Sequence, residues 1–168
     1  MGLASGTEQG PVSALIYLAL YLPATIGVFA LILSMRRGGL AEETIGDLAG
    51  LAQRRAWMAA LLTMLLFSVA GIPPFAGFIG KLLVFSAAVD GGLYWLAIVG
   101  GVAAVVAAGY YLRILASIWF SQPAEPMQAP SAIITLAATS AAALSFPVLV
   151  LALGMLERWA ESAVSTSF

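Results

Sequence analysis

Lys81 is the residue whose type and setting most clearly suggest chemistry. It stands in a long apolar stretch, 57–89, and is its only charged residue. In a membrane-spanning segment such a charge costs roughly 2.5–3.5 kcal/mol on insertion scales, so its default reading is functional. The residues before it are Gly71-Ile72-Pro73-Pro74-Phe75-Ala76-Gly77-Phe78-Ile79-Gly80. Two adjacent prolines with Gly71, Gly77 and Gly80 cannot sit in a regular helix, and Pro74 also forces Pro73 out of the α region. Unwound carbonyls and half-helix ends are the means by which transporters build ion sites at mid-membrane. Desolvation disfavours an ammonium, so a lysine in such a place can gain and lose a proton. The competing reading is that the side chain extends outward toward Asp90. That residue is nine positions on, about 13 Å along a helix, and a lysine stem covers part of that distance.

The other candidates are weaker. Tyr110, Tyr111 and Arg113 could line a polar route, although Arg113, seven residues before Phe120, reads first as an interfacial anchor. Thr25, Thr63, Ser68, Ser86, Thr135 and Ser145 could support water chains, but hydroxyls in helices mostly bond to their own carbonyls. No carboxylate lies within the apolar stretches to pair with Lys81. The sequence has no Cys and no His. That removes thiol chemistry, disulfides and the commonest metal ligands, so neither a metal nor a cofactor is expected in this chain.

The elements that must position Lys81 follow from composition. Of 168 residues, 62% are hydrophobic and 9% charged, and the mean hydropathy is +1.02. A soluble domain carries about 25% charge. So few charges exclude a soluble enzyme, a nucleic-acid binder and a disordered chain, and leave an integral membrane protein. The net charge of −1 suggests no electrostatic partner. The expected architecture is all-α, a single membrane domain with four transmembrane helices, the second discontinuous. The spans are 12–35, 57–89 broken near 71–77, 94–120 and 131–156. Residues 57–89 as one straight helix would measure about 50 Å, against a hydrocarbon core of about 30 Å. Pro23 and Pro147 fall inside spans, which membrane helices tolerate. Trp57, Trp95, Trp119 and Trp159 fall at expected helix ends, where indoles favour the headgroup level. A short interfacial helix is expected over 41–51, and a polar tail, helical at first, over 157–168. Small residues in the third and fourth spans permit close helix packing.

Arginines set the orientation. Arg36, Arg37, Arg54 and Arg55 lie between the first two spans, whereas the side bearing the termini has only Arg158. The positive-inside rule therefore expects loop 36–56 in the cytoplasm and both termini in the periplasm.

The run from Leu65 through Gly71-Ile72-Pro73-Pro74-Phe75-Ala76-Gly77-Phe78-Ile79-Gly80-Lys81 resembles the lysine-bearing broken helix of the antiporter-like proton-channel subunits of respiratory complex I. Ile45-Gly46-Asp47-Leu48-Ala49-Gly50-Leu51 is similar to the segment preceding that helix. Tyr110-Tyr111-Leu112-Arg113 and Leu22-Pro23-Ala24-Thr25-Ile26-Gly27-Val28-Phe29-Ala30 resemble one branch of that family, the N subunits of NADH–quinone oxidoreductase. The resemblance covers nearly the whole chain but only the last four, helices eleven to fourteen, of the family's roughly fourteen helices. The glutamate and lysines the family carries on earlier helices have no positions here, which implies a C-terminal portion whose partner helices belong to the rest of the same subunit. It further implies that Lys81 is the proton carrier, with Gly71, Pro73, Pro74, Gly77 and Gly80 supporting the broken helix. Lys81 would exchange its proton with the outer half-channel, driven by quinone reduction in other subunits. The chain would thus belong to an enzyme complex of the bacterial inner membrane, contacting its other membrane subunits and lipid, with no redox chemistry of its own. A multisubunit cation/proton antiporter shares the Gly-Phe-x-Gly-Lys helix and is the alternative; a purely structural membrane module is the third reading.

Overall fold

The computed structural model describes residues 1–7, 9–37, 40–41, 44–123, 131–145 and 153–165. The uncharged run Gln9–Ser34 forms α1, about 39 Å long at 1.5 Å per residue, with Pro23 accommodated inside it. A minimal antiparallel ladder follows, β1 (Arg36–Arg37) against β2 (Leu40–Ala41). The chain then makes a 3-10 turn at Ile45–Leu48 and the short α2, Leu51–Arg54. The broken helix is α3 (Ala56–Ala70) and α4 (Ala76–Asp90). Beyond it lie α5 (Tyr94–Phe120), α6 (Ala132–Ser145) and α7 (Leu153–Ser165). Among the described residues, α1 and α5 are long and apolar enough to cross a membrane unaided. At fifteen residues each, α3 and α4 span about 22 Å apiece.

Two local expectations are corrected. The single helix expected over 41–51 is instead a ladder, a turn and a short helix. Gly50 adopts a left-handed φ of 63°, which no helix interior allows, and Thr44 with Asp47 forms a capping box that starts the turn separately. The tail expected from residue 157, helical at its start, belongs to one helix, Leu153–Ser165, with Ala160 buried against α1 residues Ile16 and Leu20. Trp159 accordingly lies mid-helix rather than at a helix end, while Trp57, Trp95 and Trp119 do sit in terminal turns. Pro147, expected inside the fourth span, and the loop residues 124–130 fall outside the described residues.

The main core lies between α1, α3, α5 and α6, where Leu31, Met35, Leu51, Met58, Leu62, Leu65 and Ile118 are fully buried. Small residues set the α1–α6 distance. A Cβ on Gly27 would stand 2.7 Å from the Ala141 Cβ, and Ala138 and Ala142 are buried beside it. The small residues of α5 behave differently: Gly101 and Gly109 face open space in this chain. The loop 44–54 is fastened to the far end of α5. The Gly50 amide donates to the Ser117 carbonyl (3.0 Å), the Ser117 hydroxyl to the Ile45 carbonyl (3.4 Å), and the Gln53 amide to the Ser121 carbonyl (3.3 Å). Arg54 reaches back to the carbonyls of Asp47 and Ala49.

Candidate functional site

The site is built from the two cut ends of the broken helix. An α-helix leaves its last four carbonyls without intrahelical donors. At the end of α3 these belong to Phe67, Ser68, Val69 and Ala70. Gly71 takes a left-handed conformation, φ 80° and ψ 43°, as a glycine does in a Schellman motif. Its amide donates to Phe67 and Ser68, and the Ile72 amide donates to Phe67, each at 3.0 Å. That serves the first two carbonyls. The other two are served by Lys81. Its Nζ donates to the Val69 carbonyl at 3.0 Å and the Ala70 carbonyl at 2.6 Å. The ammonium thus sits at the negative end of the α3 dipole, where a cation is favoured.

The glycines make that reach possible. Helical Cβ atoms tilt toward the helix N-terminus, so the Lys81 stem points back along α4 toward the break. One turn back on the same face is Gly77, where a Cβ would collide with the Ser68 carbonyl oxygen. At Gly71 a Cβ would lie 2.7 Å from Lys81 Cδ and 3.0 Å from its Nζ. Gly80 instead lets α4 approach α1, since a Cβ there would press on the Tyr17 backbone at 3.3 Å. The positive end of α4 is closed reciprocally. Ser68, 0% exposed, accepts a hydrogen bond at Oγ from the Gly77 amide at 3.3 Å. Phe75 is buried against Phe67, with ring centroids 5.8 Å apart. Pro73 and Pro74 occupy the exposed outer bend, joined by a cis peptide bond.

Lys81 is half-buried and borders two cavities. One, of about 470 Å³, is walled by Tyr17, Val84, Phe85 and Ala104 and extends to Met1 and Leu3. The other, of about 210 Å³, lies between Gly71, Phe78 and the α5 residues Ala104, Val105 and Ala108. A separate cavity of about 500 Å³, which Lys81 does not line, gathers Gln9, Ser13, Ser86 and Glu161 at the other end of α4.

The remaining sequence candidates divide. Tyr111 turns inward, half-buried on the core, and its phenol interacts with that of Tyr21 and lies near Tyr17. Tyr17 and Tyr21 stack on each other, 5.2 Å between centroids and 24° between planes. Tyr110 meets Tyr111 edge-on at 5.9 Å but is exposed, as is Arg113. So Tyr111 joins the Lys81 side of the bundle through α1, while Tyr110 and Arg113 face outward. Sequence reasoning passed over Tyr17 and Tyr21. Their i,i+4 spacing, which puts two phenols on one helix face, was the available signal. Among the described residues, no group of three or more Asp or Glu could hold a metal ion.

Residues 1–107 match the family model described as NADH:quinone oxidoreductase/Mrp antiporter, TM. NADH-quinone oxidoreductase subunit N of Rhodospirillum rubrum is 49% identical over 131 residues, covering 78% of this chain and 27% of that protein. The subunit N of Hirschia baltica is 40% identical over 168 residues, covering 99% of this chain and 34% of that protein. The chain therefore spans about a third of the length of such relatives. The fold is shared with the Mrp complex from Dietzia sp. DQ12-45-1b, at a TM-score of 0.81 and 20% identity over 98% of this chain and 39% of that one. Respiratory complex I from Thermus thermophilus with bound NADH gives a TM-score of 0.77 and 25% identity over 98% of this chain and 35% of that one. With the family model covering well over half of its residues, the chain belongs to the NADH:quinone oxidoreductase/Mrp antiporter transmembrane family.

Proposed function

We propose that the chain forms the lysine-bearing, C-terminal part of a proton-translocating membrane subunit of NADH–quinone oxidoreductase. The observation that carries this reading is the Lys81 ammonium held on the Val69 and Ala70 carbonyls at the helix break, beside two cavities. A lysine so held is fixed in position yet next to space that water can enter. It takes a proton from the interior of the subunit and passes it toward the outer face. The cavity reaching Met1 and Leu3 supplies the outward direction. Quinone reduction in other subunits supplies the energy, and this chain's own residues bind and release the proton. Gly71, Pro73, Pro74 and Gly77 keep the break open, Gly80 seats α4 against α1, and Tyr111, Tyr21 and Tyr17 supply hydroxyls on the inner side. Relatives of 40–50% identity bearing the subunit N name favour this reading over a subunit of a cation/proton antiporter, for which the Mrp likeness is one of fold.

The same reading gives four crossings of a bacterial inner membrane, with α3 and α4 as one broken crossing. Loop 36–56 lies in the cytoplasm and the termini in the periplasm. The packing supports the even count: loop 44–54 meets the C-terminal end of α5, and the α7 residues Ala163 and Val164 border a cavity with Pro11, Ala14 and Leu15 near the start of α1. Partners are the other membrane subunits of the complex, the remaining helices of the same subunit, and lipid. In an assembled complex carrying Lys81→Ala, coupled quinone reductase activity should fall at least tenfold, on the order of one to two kcal/mol of lost transition-state stabilisation. NADH oxidation by an artificial acceptor should be unchanged. Unaltered coupled activity would refute the assignment.

A further inference from the structure

Ser68 stands out because it is completely buried, polar, and on the opposite side of the break from the lysine. Its hydroxyl oxygen accepts the Gly77 amide, one of the donors that the start of α4 leaves without an intrahelical partner. Its own carbonyl lies so close to Gly77 that no Cβ fits between them. Lys81 is one helical turn beyond Gly77. The place where Ser68 clamps α4 therefore fixes where the Lys81 stem begins, and the stem ends on the two carbonyls that follow Ser68 in α3, those of Val69 and Ala70. The two contacts form a closed loop: α3 holds α4 through Ser68, and α4 holds α3 through Lys81.

We propose that Ser68 is a positioning residue for proton transfer, setting the distance between the Lys81 ammonium and the carbonyl end of α3. Resting on the reading that Lys81 carries the proton, the inference assigns Ser68 no contact with the proton itself. Its hydroxyl matters as an acceptor for the Gly77 amide, so a threonine should replace it and an alanine should not.

The test uses the assembled complex in sealed inverted membrane vesicles, with proton uptake followed by a pH-sensitive dye and NADH oxidation measured in parallel. Ser68→Ala should slow proton uptake by about tenfold, about 1.4 kcal/mol on the barrier. Artificial-acceptor NADH oxidation should stay at the parent level, and Ser68→Thr should restore most of the loss. Added to Lys81→Ala, Ser68→Ala should produce no further decrease, because it acts through the lysine. If Ser68→Ala prevents assembly, Ser68→Cys takes its place, since a thiol fills the space but accepts hydrogen bonds weakly. Normal uptake in the alanine or cysteine variant, failure of threonine to rescue, or loss of assembly in every variant overturns the inference. Lys81→Ala alone separates the two ideas. If it pumps normally, the proton-carrier reading of Lys81 fails; if it does not pump while Ser68→Ala does, only the role of Ser68 fails.

Discussion

Lys81→Arg separates two roles that one ammonium performs. A guanidinium can donate to the Val69 and Ala70 carbonyls as the lysine does, but it stays protonated throughout the working pH range. The variant should therefore assemble at parental levels, measured by native gel, and translocate protons at least tenfold more slowly, on the order of one to two kcal/mol of barrier. Wild-type translocation by Lys81→Arg would show that proton release from this residue is unnecessary. Gly71→Ala perturbs the same cap from its other side. An alanine pays about 1–2 kcal/mol for a left-handed conformation, and its Cβ would stand against the Lys81 stem. The complex should lose thermal stability, read as faster inactivation on warming, and lose translocation with it. The lysine's isolation in 57–89 was legible in the sequence because charge is scarce there. Its partners were not, since they are backbone carbonyls, which every residue carries. Ser68 was visible only as one hydroxyl among several, because its acceptor role depends on how α4 folds back on α3.

At the scale of elements, prolines and glycines marked the break to within a residue or so: α3 stops at Ala70 and α4 resumes at Ala76. That precision has a local cause, since Pro73, Pro74 and Gly71 exclude the helix by their own backbone preferences. The segment 41–51 was misread for the opposite reason. Its apolar and acidic spacing suits a helix, but the Thr44–Asp47 box starts a separate turn and Gly50, fastened to Ser117, takes a left-handed conformation. The helical start of the tail was legible in the sequence, but its packing on α1 through Ala160 was not. Packing of α1 against α6 yields a prediction of its own. Gly27→Leu would force a branched side chain into the Ala141 and Leu65 contacts. Overpacking of this kind costs about 1–3 kcal/mol, so less assembled complex should be recovered from membranes.

For the whole molecule, the absence of Cys in all 168 residues makes orientation directly testable by introduced thiols. Ala56 and Ser162 are both exposed and lie at the ends assigned to opposite sides. Ala56→Cys should react with a membrane-impermeant maleimide only in inverted vesicles, and Ser162→Cys only in right-side-out cells or spheroplasts. Labelling of both from one side would refute the even number of crossings. The wide exposure of α5, including Ile98, Val102 and Val105, is in keeping with a chain that spans about a third of its relatives. Composition announced the membrane and arginine placement suggested the orientation, but neither could assemble the inner tyrosine group, which joins α1 to α5 across some ninety residues of sequence.

That Lys81 carries protons across the membrane is tested most directly by the number of protons taken up per electron transferred to quinone. The ratio is measured in sealed vesicles bearing assembled Lys81→Ala complex and compared with the unsubstituted complex. A proton-carrying Lys81 predicts a clear fall in that ratio, or electron transfer so slow that uptake ceases with it. An unchanged ratio at an unchanged rate would contradict it.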